Sequence, residues 1–302
     1  MKYAIIGAGG TGGCLGFFLK KAGKDVTLIA RGKHLEAIRK NGLTIQKLWD
    51  ESRETLPVKA CTAEEYKEIP DVILVCVKGY SMDETVPTIK KIAGKETVVI
   101  PILNIYGTGG RLQKKLPELT VTDGCIYVSA NIMEPGVILQ HGKILRVVFG
   151  ARKPEEETEK MREVAKDMVT DDLEVILSEN IRRDAMVKFS YVSPIGAAGL
   201  YCNAVAADFQ REGEQREMFK ALIREIVALS HAMGIEFEED LVEILASLSP
   251  EATTSMQRDV IEGKRSEMDG LVYEVVRMGR EYKVSMPQYE KAAACFREQG
   301  IL

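Results

Sequence analysis

The chain has 302 residues, of which 45% are hydrophobic and 28% are charged, and its formal net charge at pH 7 is −4. This length and composition are typical of a globular protein with one large domain or two ordinary ones, and a mildly acidic chain gives no electrostatic reason to expect nucleic acid. The apolar N-terminal run is too short for a signal peptide. The longest uncharged stretch, 189–207, contains serines, glycines and a proline, so we expect a buried, broken helix there and not a membrane span. We therefore expect a cytoplasmic protein without a membrane or nucleic-acid partner.

In the first hundred residues, short apolar runs alternate with helical patterns. Strands are predicted for KYAIIG (2–7), DVTLIA (25–30), DVILVCVK (71–78) and ETVVIPIL (96–103), and helices for the segments 12–23, 32–42 and 82–94. Strands separated by helices at this spacing indicate right-handed crossovers in a doubly wound parallel sheet.

The rhythm then changes twice. Residues 120–150 contain β-rich pieces and turn signals, which predict antiparallel strands appended to the sheet. An amphipathic helix (153–169) and a last strand (172–177) follow, and beyond Ser178 almost all patterns are helical. The predicted fold class is therefore α/β, with a Rossmann-type domain at 1–170 and an all-α domain at 171–302.

The stretch IIGAGGTGG, which contains Gly10 and Thr11, follows the first strand directly. Gly7, Gly9 and Gly12 fit the spacing G-x-G-x-x-G between a strand and a helix. In that context the first glycine permits a sharp turn, the second lets a pyrophosphate approach the backbone, and the third lets helix and strand pack closely. We interpret the stretch as a dinucleotide-binding loop; the alternative is a glycine-rich turn without a ligand.

The end of the second strand bears on the choice of dinucleotide. An NAD site calls for an acidic residue about 20 residues beyond the glycines, whereas this chain has TLIARGKH with Arg31 at that place. Because a guanidinium matches a 2′-phosphate in charge and geometry, NADP is favoured as the cofactor. The alternative is that Arg31 is a solvated surface residue.

Six cysteines lie scattered without CxxC spacing, and three histidines lie far apart. We therefore expect buried thiols in a reducing compartment, and no metal site.

Several separate motifs follow one another along nearly the whole chain: IIGAGGTGG, VTLIARG, VILVCVKGY, NIRRDAMVKF and TSMQRDVIEGKRSEMDGL. In this order they resemble the ketopantoate reductase (2-dehydropantoate 2-reductase) family. The resemblance implies a Rossmann domain, a helical C-terminal domain and NADPH-dependent reduction of a 2-keto acid to a 2-hydroxy acid. Its first implied substrate is 2-dehydropantoate, reduced to pantoate in pantothenate biosynthesis, and a homodimer is one assembly to expect.

The resemblance also implies roles for individual residues. Lys188 matches the family's catalytic lysine, and an ammonium suits the reaction because it stabilises charge on the carbonyl oxygen and donates the proton. Glu267 matches an acidic residue that holds the lysine or the substrate hydroxyl, and Ser255 a serine that binds the substrate carboxylate. Asn104 matches a cofactor and substrate contact, and Lys78 a lysine near the cofactor.

Two candidate substrate positions depart from the family pattern. Ketopantoate reductases typically carry asparagines four and eight residues after the lysine, whereas this chain has Val192 and Gly196. Losing hydrogen bonds of this kind changes discrimination strongly. The departures leave open a branched or bulkier 2-keto acid as the substrate, or a non-catalytic NADPH sensor; S-adenosylmethionine binding is a further alternative that gives Arg31 no role.

Overall fold

A computed structural model describes residues 1–246 and 248–301. The chain divides into two units, each considered by itself. The N-terminal unit comprises Met1–Leu103 and Gly107–Ile181, and the C-terminal unit comprises Asn104–Tyr106 and Arg182–Leu302. The division after Ile181 lies later than the expected residue 170, because the strand Glu174–Leu177 pairs with the strand Arg146–Gly150 of the N-terminal unit.

Thirteen strands lie in the N-terminal unit. They are β1 (Lys2–Ile6), β2 (Asp25–Ile29), β3 (Leu43–Lys47), β4 (Arg53–Leu56), β5 (Lys59–Cys61), β6 (Val72–Val75), β7 (Val98–Pro101), β8 (Thr120–Val121), β9 (Asp123–Tyr127), β10 (Ala130–Glu134), β11 (Val137–Gln140), β12 (Arg146–Gly150) and β13 (Glu174–Leu177).

The main sheet is parallel throughout, in the order β5-β2-β1-β6-β7-β8. β6 and β7 are buried along their whole length, which explains their continuous apolar sequences. This strand order is that of the dinucleotide-binding Rossmann fold, in which ligands bind beside the carboxyl ends of the strands where the order reverses, here between β1 and β6. The predicted fold class is confirmed.

The prediction for residues 120–150 needs a correction. Only β8 joins the main sheet, where it runs parallel to β7. The strands β9 to β12 instead belong to two smaller sheets, with the strand orders β10-β11-β3-β4 and β13-β12-β9. Both sheets mix directions: β11 runs parallel to β3 and antiparallel to β10, and β12 runs parallel to β13 and antiparallel to β9. The pairing of β11 with β3 is a long-range contact, which the local sequence pattern does not predict.

The N-terminal unit contains the helices α1 (Gly10–Lys21), α2 (Gly32–Asn41), α3 (Val86–Ile92), α4 (Thr108–Lys115) and α5 (Glu159–Met168). The sequence patterns predict all of these except α4. Pro87 lies in the first turn of α3, where a missing N–H costs no helical hydrogen bond.

The described part of the C-terminal unit is helical. Its elements are α6 (Ile181–Tyr201, which starts at the last residue of the N-terminal unit), α7 (Ala206–Gln210), α8 (Glu214–Ala232), α9 (Leu241–Ala246), α10 (Ser255–Ile261), a π-helical turn (Asp269–Tyr273), α11 (Glu274–Glu281) and α12 (Pro287–Glu298). One apolar core joins them and includes the stacked rings of Phe209 and Phe219, 5.4 Å apart.

The break expected within 189–207 is present, but it lies after Pro194: α6 continues through the proline to Tyr201, and α7 begins at Ala206. Tertiary contacts hold this segment: the Ser193 hydroxyl lies 2.6 Å from the Leu271 carbonyl oxygen and 2.7 Å from the Tyr289 hydroxyl. The chain leaves the helical direction at Asn203, which has φ of 49°. Within 1–246 and 248–301, no helix combines the length and the apolar character that a bilayer crossing requires.

Candidate active site

The glycine stretch forms a tight turn between β1 and α1. Gly7 has φ of 97°, and a Cβ there would lie 2.9 Å from the carbonyl oxygen of Cys76, just beyond the end of β6. A Cβ on Gly12 would lie 1.9 Å from the carbonyl oxygen of Gly7, so only glycine lets α1 pack onto the turn. A Cβ on Gly9, in contrast, would have no neighbour within 4 Å. The space at Gly9 is thus open to a ligand.

The first turn of α1, which includes Gly10 and Thr11, offers positive charge density beside that space. Gly9 is the N-cap residue, no side chain caps the helix, and the first turn contains no acidic residue. Unbonded N–H groups and the helix dipole favour an anion at such an end. The residues present therefore fit a phosphate group.

A segment that the sequence analysis missed borders the same turn. A Cβ on Gly10 would lie 2.3 Å from the carbonyl oxygen of Ala130 at the start of β10, so this glycine is required by a close backbone approach. The next residue, Asn131, has its Oδ1 2.5 Å from His141 Nε2. An extra glycine beside the G-x-G-x-x-G set was the available signal, but the sequence does not reveal which segment needs it.

His34 is a second residue that the sequence reading did not assign to this region. Burial lowers the pKa of the imidazole, so the ring is neutral at pH 7. Its Nδ1 accepts a hydrogen bond from the N–H of Gly136, 3.0 Å away, in the turn between β10 and β11. This contact ties the start of α2 to the hairpin that borders the glycine turn.

Two cationic candidates follow strands of the main sheet. Arg31 comes just after β2, caps α2 in an extended conformation and is exposed, and the first turn of α2 contains no acidic residue. Lys78 comes after β6, is half-buried and precedes the short 3-10 turn Gly79–Ser81. Since β2, β1 and β6 are neighbours and parallel, both cations lie at the same edge of the sheet as the glycine turn.

The C-terminal unit holds a buried polar pair, Lys188 on α6 and Asn104. Lys188 is only 6% exposed, and its Nζ donates a 2.8 Å hydrogen bond to Oδ1 of Asn104. Asn104 follows β7 in the chain, yet with Ile105 and Tyr106 it packs within the C-terminal unit. Glu267, 4% exposed, lies just before the π-helical turn. An ammonium buried this deeply must be hydrogen-bonded, and its charge acts strongly on any nearby oxygen.

Ser255 is the first residue of α10, and the helix start is fixed by a capping box. The Thr254 hydroxyl accepts from the N–H of Gln257, and the Gln257 side chain accepts from the N–H of Thr254. Gln257 also donates to the carbonyl oxygen of Ala204 at 2.9 Å. The sequence reading missed this box, although the spacing T-x-x-Q is its signature.

The two remaining substrate candidates lie on α6 beyond Lys188. Gly196 is buried, and a Cβ there would lie 2.7 Å from Met256 Cε and 3.3 Å from Thr254 Oγ1, so it lets α10 pack closely on α6. Val192 is half-buried between Lys188 and that contact. The structure thus brings Lys188 to Asn104 and Gly196 to the start of α10, while the roles of all these residues stay predictions.

Disulfides and metal-binding groups are both absent from the described residues. None of the six cysteines forms a disulfide, and burial raises the pKa of the Cys14 thiol to about 12. Within 1–246 and 248–301, no three His, Cys, Asp or Glu side chains are grouped closely enough to hold a metal ion.

Comparison with known proteins gives matches over nearly the whole chain. Curated relatives include the "Uncharacterized oxidoreductase YkpB" of Bacillus subtilis, 27% identical over 97% of both chains, and the 2-dehydropantoate 2-reductase of Pyrococcus horikoshii, 29% identical over 95% of this chain and 93% of the relative. Among solved structures, a PanE/ApbA family ketopantoate reductase from Ralstonia eutropha matches with a TM-score of 0.88 and 25% identity, covering 98% of this chain and 97% of the other.

Family models match both units separately. The model described as "Ketopantoate reductase PanE/ApbA" matches residues 3–154, and the model described as "Ketopantoate reductase PanE/ApbA C terminal" matches residues 180–299. Together they span the glycine turn, both cationic candidates, Asn104 and Lys188. The chain therefore belongs to the ketopantoate reductase family of oxidoreductases.

Proposed function

We propose that the protein reduces a 2-keto acid of the 2-dehydropantoate type to the 2-hydroxy acid with NADPH. The observation that carries the proposal is the buried Lys188 ammonium with its hydrogen bond to Asn104. NADPH, when bound, supplies the hydride that the carbonyl carbon accepts. The chain's own residues must bind NADPH and the 2-keto acid, stabilise their negative charges and donate one proton.

The N-terminal unit would hold the cofactor. Its pyrophosphate fits the open space at Gly9 and the uncapped N-terminus of α1. Exposed Arg31 would form an ion pair with the 2′-phosphate, the group that NADPH has and NADH lacks. Lys78 would contribute a second positive charge at the same edge of the sheet. Asn104 is proposed to contact the cofactor and the substrate as well as Lys188.

Lys188 is the proposed general acid. As the carbonyl carbon is reduced, negative charge develops on the carbonyl oxygen, and Nζ stabilises that charge and transfers a proton to it. Asn104 Oδ1 accepts a hydrogen bond from one of the three ammonium N–H groups and so orients the other two. Glu267 is proposed to orient the lysine or the substrate hydroxyl, and the Ser255 hydroxyl to donate to the substrate carboxylate.

The test is NADPH oxidation, followed by absorbance, with a panel of 2-keto acids. Lys188→Ala is expected to lower kcat by about 10²–10⁴-fold, the usual contribution of a general acid, while the Kd for NADPH stays unchanged. Lys220→Ala is the control, because that lysine lies on α8 in a pair with Glu217. The thermal melting of both variants verifies folding.

Normal turnover by folded Lys188→Ala would overturn the proton-donor role. Tight NADPH binding without oxidation by any 2-keto acid would instead support the sensor alternative.

A further inference from the structure

We infer that the preferred 2-keto acid carries a branched apolar side chain without a terminal hydroxyl, and that Val192 sets this preference. The inference rests on the proposed function, since it concerns the substrate of the same site. Its basis is the face of α6 that follows Lys188.

Val192 lies on the same face of α6 as the proposed proton donor. Residues four apart on a helix are neighbours, with a separation of about 6 Å along the axis. Val192 is half-buried and packs at the edge of the apolar core. The Val192 side chain therefore leaves α6 one turn beyond the Lys188 side chain.

One turn beyond Val192, the same face of α6 packs directly against the start of α10. Gly196 has no room for a side chain, because a Cβ would meet Met256 Cε at 2.7 Å and Thr254 Oγ1 at 3.3 Å. Ser255, the proposed carboxylate ligand, lies between Thr254 and Met256 at the start of α10. A substrate that reaches from Lys188 towards Ser255 thus passes Val192.

The hydroxyl groups of the two serines on this stretch of α6 already have hydrogen-bond partners within the protein. The Ser190 hydroxyl donates to the carbonyl oxygen of Met186 at 2.8 Å, and the Ser193 hydroxyl bonds Leu271 and Tyr289. Both serines are fully buried. Neither is available to replace the water that a substrate hydroxyl would lose beside Val192.

The apolar surroundings of Val192 favour an alkyl group on the part of the substrate that lies beside it. A hydroxyl pressed against methyl groups loses its hydrogen bonds to water without a replacement. Apolar pockets reject such a hydroxylated isostere by about 100-fold at most. We therefore expect a kcat/KM ratio of about 10–100 in favour of the unhydroxylated acid.

The test uses two acids that differ in one hydroxyl: 2-dehydropantoate (4-hydroxy-3,3-dimethyl-2-oxobutanoate) and 3,3-dimethyl-2-oxobutanoate. We measure kcat/KM for each with NADPH. The wild-type protein is expected to prefer the second acid by about 10–100-fold. Val192→Asn is expected to shift the ratio towards 2-dehydropantoate by at least about 10-fold, and Val192→Leu, the matched apolar control, to keep the preference for the second acid.

The outcomes separate the two proposals. Equal or faster reduction of 2-dehydropantoate by the wild-type protein would overturn this inference while leaving the reductase function intact. No NADPH oxidation with either acid would overturn the proposed function itself. If Val192→Asn melts at a much lower temperature, the wild-type ratio alone decides.

Discussion

Gly9 and Gly12 lie three residues apart in one turn, yet alanine should act on them in opposite ways. At Gly9, with φ of −70° and ψ of −163°, alanine is conformationally allowed and its Cβ meets nothing within 4 Å. At Gly12, the Cβ would lie 1.9 Å from the carbonyl oxygen of Gly7. The pair therefore tests the proposal that Gly9 leaves room for a ligand, whereas Gly12 is required by packing.

The expected stability changes differ in sign. Gly9→Ala lowers the entropy of the unfolded chain and should stabilise the protein without NADPH by about 0.4–1 kcal/mol. Gly12→Ala gains about 1 kcal/mol of helix propensity. However, the backbone must shift to relieve the clash between the new Cβ and the carbonyl oxygen of Gly7. Overpacking of this kind costs about 1–3 kcal/mol or more, so we expect a net loss of stability.

The assay combines urea unfolding of the free protein with fluorescence titration of NADPH. Gly9→Ala should leave the unfolding free energy equal or higher and weaken NADPH by at least about 10-fold, or 1.4 kcal/mol, because the methyl group occupies the proposed phosphate space. Gly12→Ala should impair both quantities. Wild-type affinity in Gly9→Ala would refute the placement of the phosphate.

Three further predictions concern single side chains. Arg31→Ala should weaken NADPH more than NADH by about 1.5–3 kcal/mol, measured by parallel titrations; equal weakening would show that Arg31 does not bind the 2′-phosphate. Asn104→Ala should lower kcat by about 10–150-fold, since it removes a hydrogen bond to the charged Lys188 worth about 1.5–3 kcal/mol, and an unchanged kcat would contradict that role. The backbone N–H of Lys2 donates a hydrogen bond to Asp71 and lowers the pKa of that carboxyl group. The stability that Asp71 contributes is therefore present above the pKa of the unfolded chain and is lost as the pH falls through the lower folded pKa. Urea unfolding between pH 3 and 7 should show a shallower loss of stability towards acid pH in Asp71→Asn than in the wild-type protein, and an identical slope would contradict the linkage.

The remaining expectations are simple to measure. The homodimer is tested by light scattering of the purified protein, and the cytoplasmic location by cell fractionation. Both stay predictions.

The sequence determined the elements whose signals are local. Continuous apolar runs marked β6 and β7, and strand–glycine–helix spacing marked the turn between β1 and α1. Such patterns are readable because burial on both faces and close backbone approach each restrict the residues allowed at particular positions. Matching motifs added Lys188 and Ser255, which no local signal distinguishes from ordinary polar residues.

Contacts between distant segments were decided only by the tertiary structure. The bond from Lys188 to Asn104 joins residues 84 positions apart, and the segment 104–106 leaves the unit of its neighbours in sequence to make it. β11 pairs with β3 and not with the main sheet, and α6 continues through Pro194 because Ser193 is held by other helices. In each case the free energy comes from packing and hydrogen bonds across the fold, which no window of sequence contains.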